Sequence, residues 1–167
     1  MGRLNTCALT DTGAAWCAGS KQSVFPERPR ADLGTGWRAL AAGAEHICAL
    51  TDTGAAWCKG EARYSRLALP ERPPAGKGRT WQALAAGEYH TCALTDTGTA
   101  VCVGWQKYGL QTLPGRPPAG LGTGWRALAA GDFHTCALTD TGALQCVGDN
   151  YHGQCSLPAR PPAGLGR

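Results

Sequence analysis

Residues 86–98 read AGEYHTCALTDTG, and the string returns as AGAEHICALTDTG at 42–54 and AGDFHTCALTDTG at 130–142. A shortened copy, Asn5-Thr6-Cys7-Ala8-Leu9-Thr10-Asp11-Thr12-Gly13, opens the chain. Trp37, Trp81 and Trp125 are spaced by 44 residues, as are Cys48, Cys92 and Cys136. A fixed period of this size means one supersecondary unit repeated, each burying its apolar face against the next. Residues shared by all copies are therefore expected to hold the fold, and function is to be sought where the copies differ.

The third copy shows what the unit is. Trp81-Gln82-Ala83-Leu84-Ala85-Ala86 is a short apolar run stopped by Gly87, and His90 to Thr95 is a second run of β-branched and apolar residues. Asp96-Thr97-Gly98 is a three-residue hairpin turn, with Asp bonding the backbone ahead and Gly accepting positive φ. Thr99 to Val103 returns as a third strand. The connector around Leu113 to Gly120 holds Pro114, Pro117 and Pro118; they exclude a central strand, so a weak fourth strand and an extended link are expected there.

Three or four short antiparallel strands per period predict a β-propeller blade. A β-solenoid is the alternative, but its coils are normally shorter. The whole chain, 1–167, is thus one all-β array of about four blades, near 1–33, 34–77, 78–121 and 122–167. The first copy is three residues short after Cys17, in a loop where deletion is tolerated.

There are four hairpins but only three Trp-led strands, so blade one is expected to lack a strand. The chain also stops at Gly164-Leu165-Gly166-Arg167, where another Trp-led strand should begin. Either a longer propeller continues it or several chains close a ring as a homo-oligomer. The first is favoured.

Composition bounds the function. Twenty-four Gly and 11 Pro in 167 residues suit turns and short strands rather than helical repeats. The net charge of +4 is spread along the chain with no basic run, which speaks against a nucleic-acid partner. No stretch approaches the roughly 18 apolar residues of a membrane helix. No signal peptide is read either, but entry in mid-repeat makes that uninformative about compartment.

Nine cysteines make four in-repeat pairs, Cys7/Cys17, Cys48/Cys58, Cys92/Cys102 and Cys136/Cys146, plus Cys155. Counting outward from the turn places each pair directly opposite across a hairpin, at a non-hydrogen-bonded site where side chains approach most closely. Disulfides are then within reach, and with them an oxidising, extracellular or periplasmic compartment. The competing reading is small buried thiols between blades. Zinc is disfavoured, because a pair supplies only two of four ligands. Cys155 has no counterpart, and is a free thiol, an intermolecular link or a tolerated loop residue.

These residues resemble the regulator of chromosome condensation repeat: an apolar strand, G-x-x-H-(T/S)-x-A-L, an acidic-Gly turn, a third strand and N-x-x-G-Q. The fourth copy matches best, from Ala130-Gly131-Asp132-Phe133-His134-Thr135-Cys136-Ala137-Leu138 to Asp149-Asn150-Tyr151-His152-Gly153-Gln154. Copies two and three lose the second half. With the cysteine pairs, a bacterial-type, Cys-paired variant is expected. The resemblance implies a propeller, usually of about seven blades, serving as a protein-binding platform. Its members include a nucleotide-exchange factor for a small GTPase, a plant ultraviolet receptor and bacterial β-lactamase inhibitors. No shared catalytic residue comes with it.

The remaining repeated residues read as scaffold. His46, His90 and His134 would bond backbone groups inside their blades rather than converge on a ligand. Asp11, Asp52, Asp96 and Asp140 serve turns. Arg28, Arg72, Arg116 and Arg160 reach nearby carbonyls or form a basic belt. The Trp-led strands anchor blade packing.

The copies differ in two loops: Ala44-Glu45, Glu88-Tyr89 and Asp132-Phe133 after the first strand, and Tyr64, Trp105, Tyr108 and Tyr151 after the third. Aromatic and charged residues in loops suit a protein-binding face. With no nucleophile–base pair, carboxylate dyad, metal cluster or phosphate loop, the expectation is a non-catalytic binding module with no cofactor and no metal. The alternatives are a secreted propeller that inhibits an extracellular enzyme such as a β-lactamase, and a hydrolase or lyase acting in a central channel.

Overall fold

The computed structural model describes residues 5–19, 25–63, 66–109 and 112–160, the side chains of Asn5 and Tyr108 excepted. Eleven strands appear: β1 (Asn5–Leu9), β2 (Ala15–Gly19), β3 (Trp37–Ala42), β4 (His46–Thr51), β5 (Ala56–Gly60), β6 (Trp81–Ala86), β7 (His90–Thr95), β8 (Ala100–Gly104), β9 (Trp125–Ala130), β10 (His134–Thr139) and β11 (Leu144–Gly148). They form one two-stranded sheet, β1-β2, and three three-stranded sheets in sequence order, all antiparallel. This is an all-β array of propeller blades. No helix among the described residues is long and apolar enough to cross a membrane.

Each hairpin is set by the T-D-T-G string. Gly13, Gly54, Gly98 and Gly142 close the turns at φ between 74° and 80°, the left-handed region a three-residue loop requires. The leading Thr fixes the turn from within: Thr95 Oγ1 accepts the Thr99 amide at 3.0 Å, and Thr51 and Thr139 do the same for Ala55 and Ala143. The Asp does more than turn chemistry. Asp52 accepts from the Thr35 amide and hydroxyl, Asp140 from those of Thr123, and Asp96 from the Arg79 amide. It thus ties the hairpin tip to the lead-in of the blade's first strand, and these bonds hold all three carboxyls below their usual range.

The turn register puts Cys7 opposite Cys17, Cys48 opposite Cys58, Cys92 opposite Cys102 and Cys136 opposite Cys146. All four pairs are disulfides, with Cα atoms 4.0–4.1 Å apart, the close spacing of a non-hydrogen-bonded pair.

The weak fourth strand is not formed among the described residues. The connector instead offers one carbonyl per blade to the first residue of the third strand: Glu27 to Ala15, Glu71 to Ala56, Gly115 to Ala100 and Ala159 to Leu144. Proline has no amide hydrogen to donate, so the ladder stops at one bond. The same connector anchors the next blade, since Trp37, Trp81 and Trp125 donate their indole N–H to the carbonyls of Pro26, Pro70 and Pro114.

The core lies between blades. Trp37, Ile47 and Ala49 of blade two bury against Ala15 and Phe25 of blade one. Trp81 and Ala93 close on Leu50, Ala56 and Leu69, and Trp125 and Ala137 on Leu94, Ala100 and Leu113. A bulge after Trp37 makes Arg38 the extra residue of β3 and aims it at the next blade, where it donates to the Trp81 carbonyl at 2.8 Å. The connector arginines also serve carbonyls: Arg28 reaches Thr12 and Thr35, Arg72 reaches Thr53, and Arg116 reaches Thr123.

Candidate functional site

Strands β4, β7 and β10 run away from one end of the array, and both variable loops lie at that end. They are stitched there by backbone: Glu61, Trp105 and Asp149, just past the third strands, donate to the carbonyls of Glu45, Tyr89 and Phe133. Glu88 in turn donates to the Asp132 carbonyl of the next blade at 3.2 Å. Loops distant in sequence thereby form one continuous surface.

Tyr89 is its centre. Its ring lies 5.1 Å from Trp105, edge to face, and 5.2 Å from Phe133, and Lys107 Nζ stands 5.2 Å over the Trp105 ring. All three aromatics are half-buried. Phe133 continues into a hollow of about 280 Å³ lined with Asp149, Tyr151 and His152, where Tyr151 is 86% exposed and stacks edge-on with His152. The structure therefore gathers Trp105, Tyr89, Phe133, Tyr151, Glu88 and Asp132 at one end. Tyr108 sits in a short 3-10 turn, Lys107–Gly109, and Tyr64 lies outside the described residues.

Arg66 supports this surface and was not singled out by the sequence. It is 1% exposed, and its guanidinium donates to the Glu61 carbonyl at 2.7 Å, the Glu88 carbonyl at 2.9 Å and Glu45 Oε2 at 3.0 Å. One buried cation thus joins the loops of blades two and three. The clue was alignment: Arg66 occupies the position of Gln154 in the fourth copy. Gln154 braces its own loop, donating to Asp149 and accepting the His152 amide. Asn150 accepts the Cys155 amide and donates to Ser156, so the Tyr151 loop is held in shape by its own side chains. Cys155 is a free thiol among the described residues, bonded to the Asp149 carbonyl and pushed up in pKa by burial and then Asp149.

His46 and His90 reach side chains of the next blade rather than backbone groups of their own. His46 Nε2 meets Thr91 Oγ1 of the next blade at 2.7 Å, and His90 Nε2 meets Thr135 Oγ1 at 2.6 Å. Thr91 donates its only hydroxyl hydrogen to the Arg66 carbonyl, so His46 Nε2 must be the donor. Nδ1 then carries the lone pair, and among the described residues it has no partner. The pKa values of both His46 and His90 are lowered from 6.5 to about 4, chiefly by burial, then by Arg66 and His90 for His46 and by His134 for His90. Thr91→Val keeps the shape but leaves the His46 N–H unpaired, and is expected to cost about 1–3 kcal/mol in denaturant unfolding. A variant with wild-type stability would show that this bond carries no weight.

Among the described residues no three His, Cys, Asp or Glu side chains gather as metal ligands. What the site offers is an aromatic surface on braced loops.

Comparison with known proteins agrees with the repeat. The model described as "Regulator of chromosome condensation (RCC1) repeat" matches residues 37–65, 81–110 and 125–154, more than half of the chain. No curated protein sequence gives a match. Among solved structures, the CRINKLY WD40 ectodomain of the Arabidopsis thaliana receptor kinase ACR4 is 24% identical with a TM-score of 0.64, over 97% of this chain and 51% of that one. Human WBSCR16 is 19% identical at TM-score 0.75, over 96% and 50%. Prp20p of Saccharomyces cerevisiae is 22% identical at 0.68, over 87% and 42%. At such identities the likeness is one of fold, and the chain spans about half the length of these structures.

Proposed function

The chain belongs to the regulator of chromosome condensation (RCC1) repeat family, and from that premise we propose that it is a non-catalytic module that binds a protein through the loop end of its blades. The observation that carries this is the contiguity of Trp105, Tyr89 and Phe133, from three separate loops, on backbone-stitched supports. Interface energy concentrates in clustered aromatic anchors of this kind, and held loops reduce the ordering cost of binding. The surface carries Glu88, Asp132 and Asp149 in place of a Lys/Arg cluster, which favours a protein over a nucleic acid. Protein binding is also the kind of role reported for Prp20p, whose structure is described with its binding to Gsp1p and histones. Four disulfides point to an oxidising compartment, extracellular or periplasmic. The exposed Tyr151 on its braced loop keeps a second reading in play, a secreted inhibitor that plugs an enzyme's active site.

The test is capture of a partner by the disulfide-intact chain, comparing wild type with Trp105→Ala/Tyr89→Ala. The double variant is expected to bind at least about 30-fold more weakly, the scale of losing a hot-spot cluster, with circular dichroism and disulfide count unchanged. Equal capture by the variant, or turnover of a substrate by the purified chain, would overturn the reading.

A further inference from the structure

The residue after each third-strand glycine holds the same stitched place on the three-stranded blades. Glu61, Trp105 and Asp149 occupy it, each donating its amide to the first loop of its own blade. Two of them hold a cation from two residues further on. Arg63 reaches the Glu61 carboxylate at 3.9 Å, and Lys107 Nζ stands 5.2 Å over the Trp105 ring. The indole thus replaces a carboxylate without changing what the position attracts, because the face of the ring carries negative charge density. In the fourth blade an acid returns, but the residue two further on is Tyr151 and brings no cation.

Charge around the aromatic cluster points the same way. Glu88 and Asp132 immediately precede Tyr89 and Phe133, and Asp149 is bonded to the Phe133 carbonyl. Against these three carboxylates stands one exposed ammonium, Lys107. Arg66 is buried, and its donors go to two loop carbonyls and Glu45. No ion pair among the described residues involves Asp132 or Asp149. The chain as a whole carries +4, so this excess of carboxylates is local. The cluster lies between blades three and four, inside the array.

We infer that the segment of the partner that docks here is basic, with an arginine stacked on Trp105 in place of Lys107 and further cations facing Asp132 and Asp149. This rests on the protein-binding role proposed above. A guanidinium suits the place better than an ammonium, since it is planar and weakly hydrated, and it stacks on a ring while its edge donates to a carboxylate. Lys107 is exposed on its short 3-10 turn, and its release gives up only a surface cation–π contact. An acidic segment would gain Lys107 but meet three carboxylates.

The probe is a random peptide library displayed on phage and selected on the disulfide-intact chain. Retained peptides that lose capture on Trp105→Ala/Tyr89→Ala are expected to carry at least about threefold more arginine than the library. Such a peptide, made synthetically, should bind Lys107→Gln about threefold or more tighter, because the ring is vacated, and Asp132→Lys at least about tenfold more weakly. Both side chains are exposed, so these variants keep the fold. Three results overturn the basic segment while leaving the protein-binding role standing: face-dependent peptides without arginine enrichment, binding to Lys107→Gln that is not tighter, or binding to Asp132→Lys that is not weaker. If no retained peptide depends on Trp105 and Tyr89, both fall.

Discussion

Reducing the four disulfides is expected to unfold this chain at room temperature. Each bridge spans ten residues across one hairpin, and closing a loop of that length removes about 2.7 kcal/mol of denatured-state entropy. Four together approach 11 kcal/mol, against a usual total stability of about 5–15 kcal/mol for a folded domain. The core gives little in reserve, because much of it is alanine: Ala49, Ala56, Ala93, Ala100 and Ala137 fill the junctions between single tryptophans. The first sheet is the most exposed to loss, since two strands alone are marginal in water and Cys7–Cys17 joins them. Circular dichroism through a thermal scan, with and without a phosphine reductant, measures the effect. Loss of the cooperative transition on reduction is the expected result. The double variant Cys48→Ala/Cys58→Ala, expected to lose about 3 kcal/mol or more, separates one bridge from the set. An unchanged melting curve after complete reduction would mean that the bridges are incidental, and the inference about compartment would fall with them.

What could be read in advance divides along sequence distance. The hairpins, the turn glycines and the opposition of the cysteines follow from register over about ten residues, where spacing alone decides geometry. The tryptophans' packing role follows from the period. The fourth strand failed because prolines at Pro114, Pro117 and Pro118 leave too few donors for a ladder, and the single surviving bond to Ala100 has no signature in the sequence. The histidine partner was missed because Thr91 lies 45 residues from His46; inside one copy the nearest candidates are backbone groups. Alignment of the copies held the answer, since Thr appears where the preceding blade has His, and Ile47 where it has Asn5. The variable loops were identifiable as the place to look, but not their contact. That Tyr89 touches both Trp105 and Phe133 depends on how consecutive blades are set side by side, which no single repeat encodes. Arg66 hid for a related reason: within its own loop it is one charge among several, and only the fold brings Glu88 of the next blade to it.

Between pH 6.5 and about 4 the folded state is expected to lose stability steeply, before the exposed turn carboxylates begin to titrate. His46 and His90 are each at 0% exposure, and their pKa values are lowered to about 4. In this window the unfolded chain binds protons at both rings and the folded chain does not. Stability therefore falls as pH falls. Two such groups give a slope of up to about 3 kcal/mol per pH unit and a total on the order of 7 kcal/mol. The neighbours reinforce the sign: the Arg66 cation and the His90 ring stand against a charge on His46, and His134 against one on His90. Asp52, Asp96 and Asp140 act further down, because hydrogen bonds hold them below 3.8; what they contribute is lost only in stronger acid. Urea unfolding at pH 7, 5.5 and 4.5 reads the slope directly. His46→Asn/His90→Asn, which copies the residue at Asn5, should start less stable at pH 7 and stay nearly flat to pH 4.5. A flat profile for the unmodified chain would show that the rings accept protons within the fold, and the tautomer set by Thr91 and the Arg66 carbonyl would then be wrong.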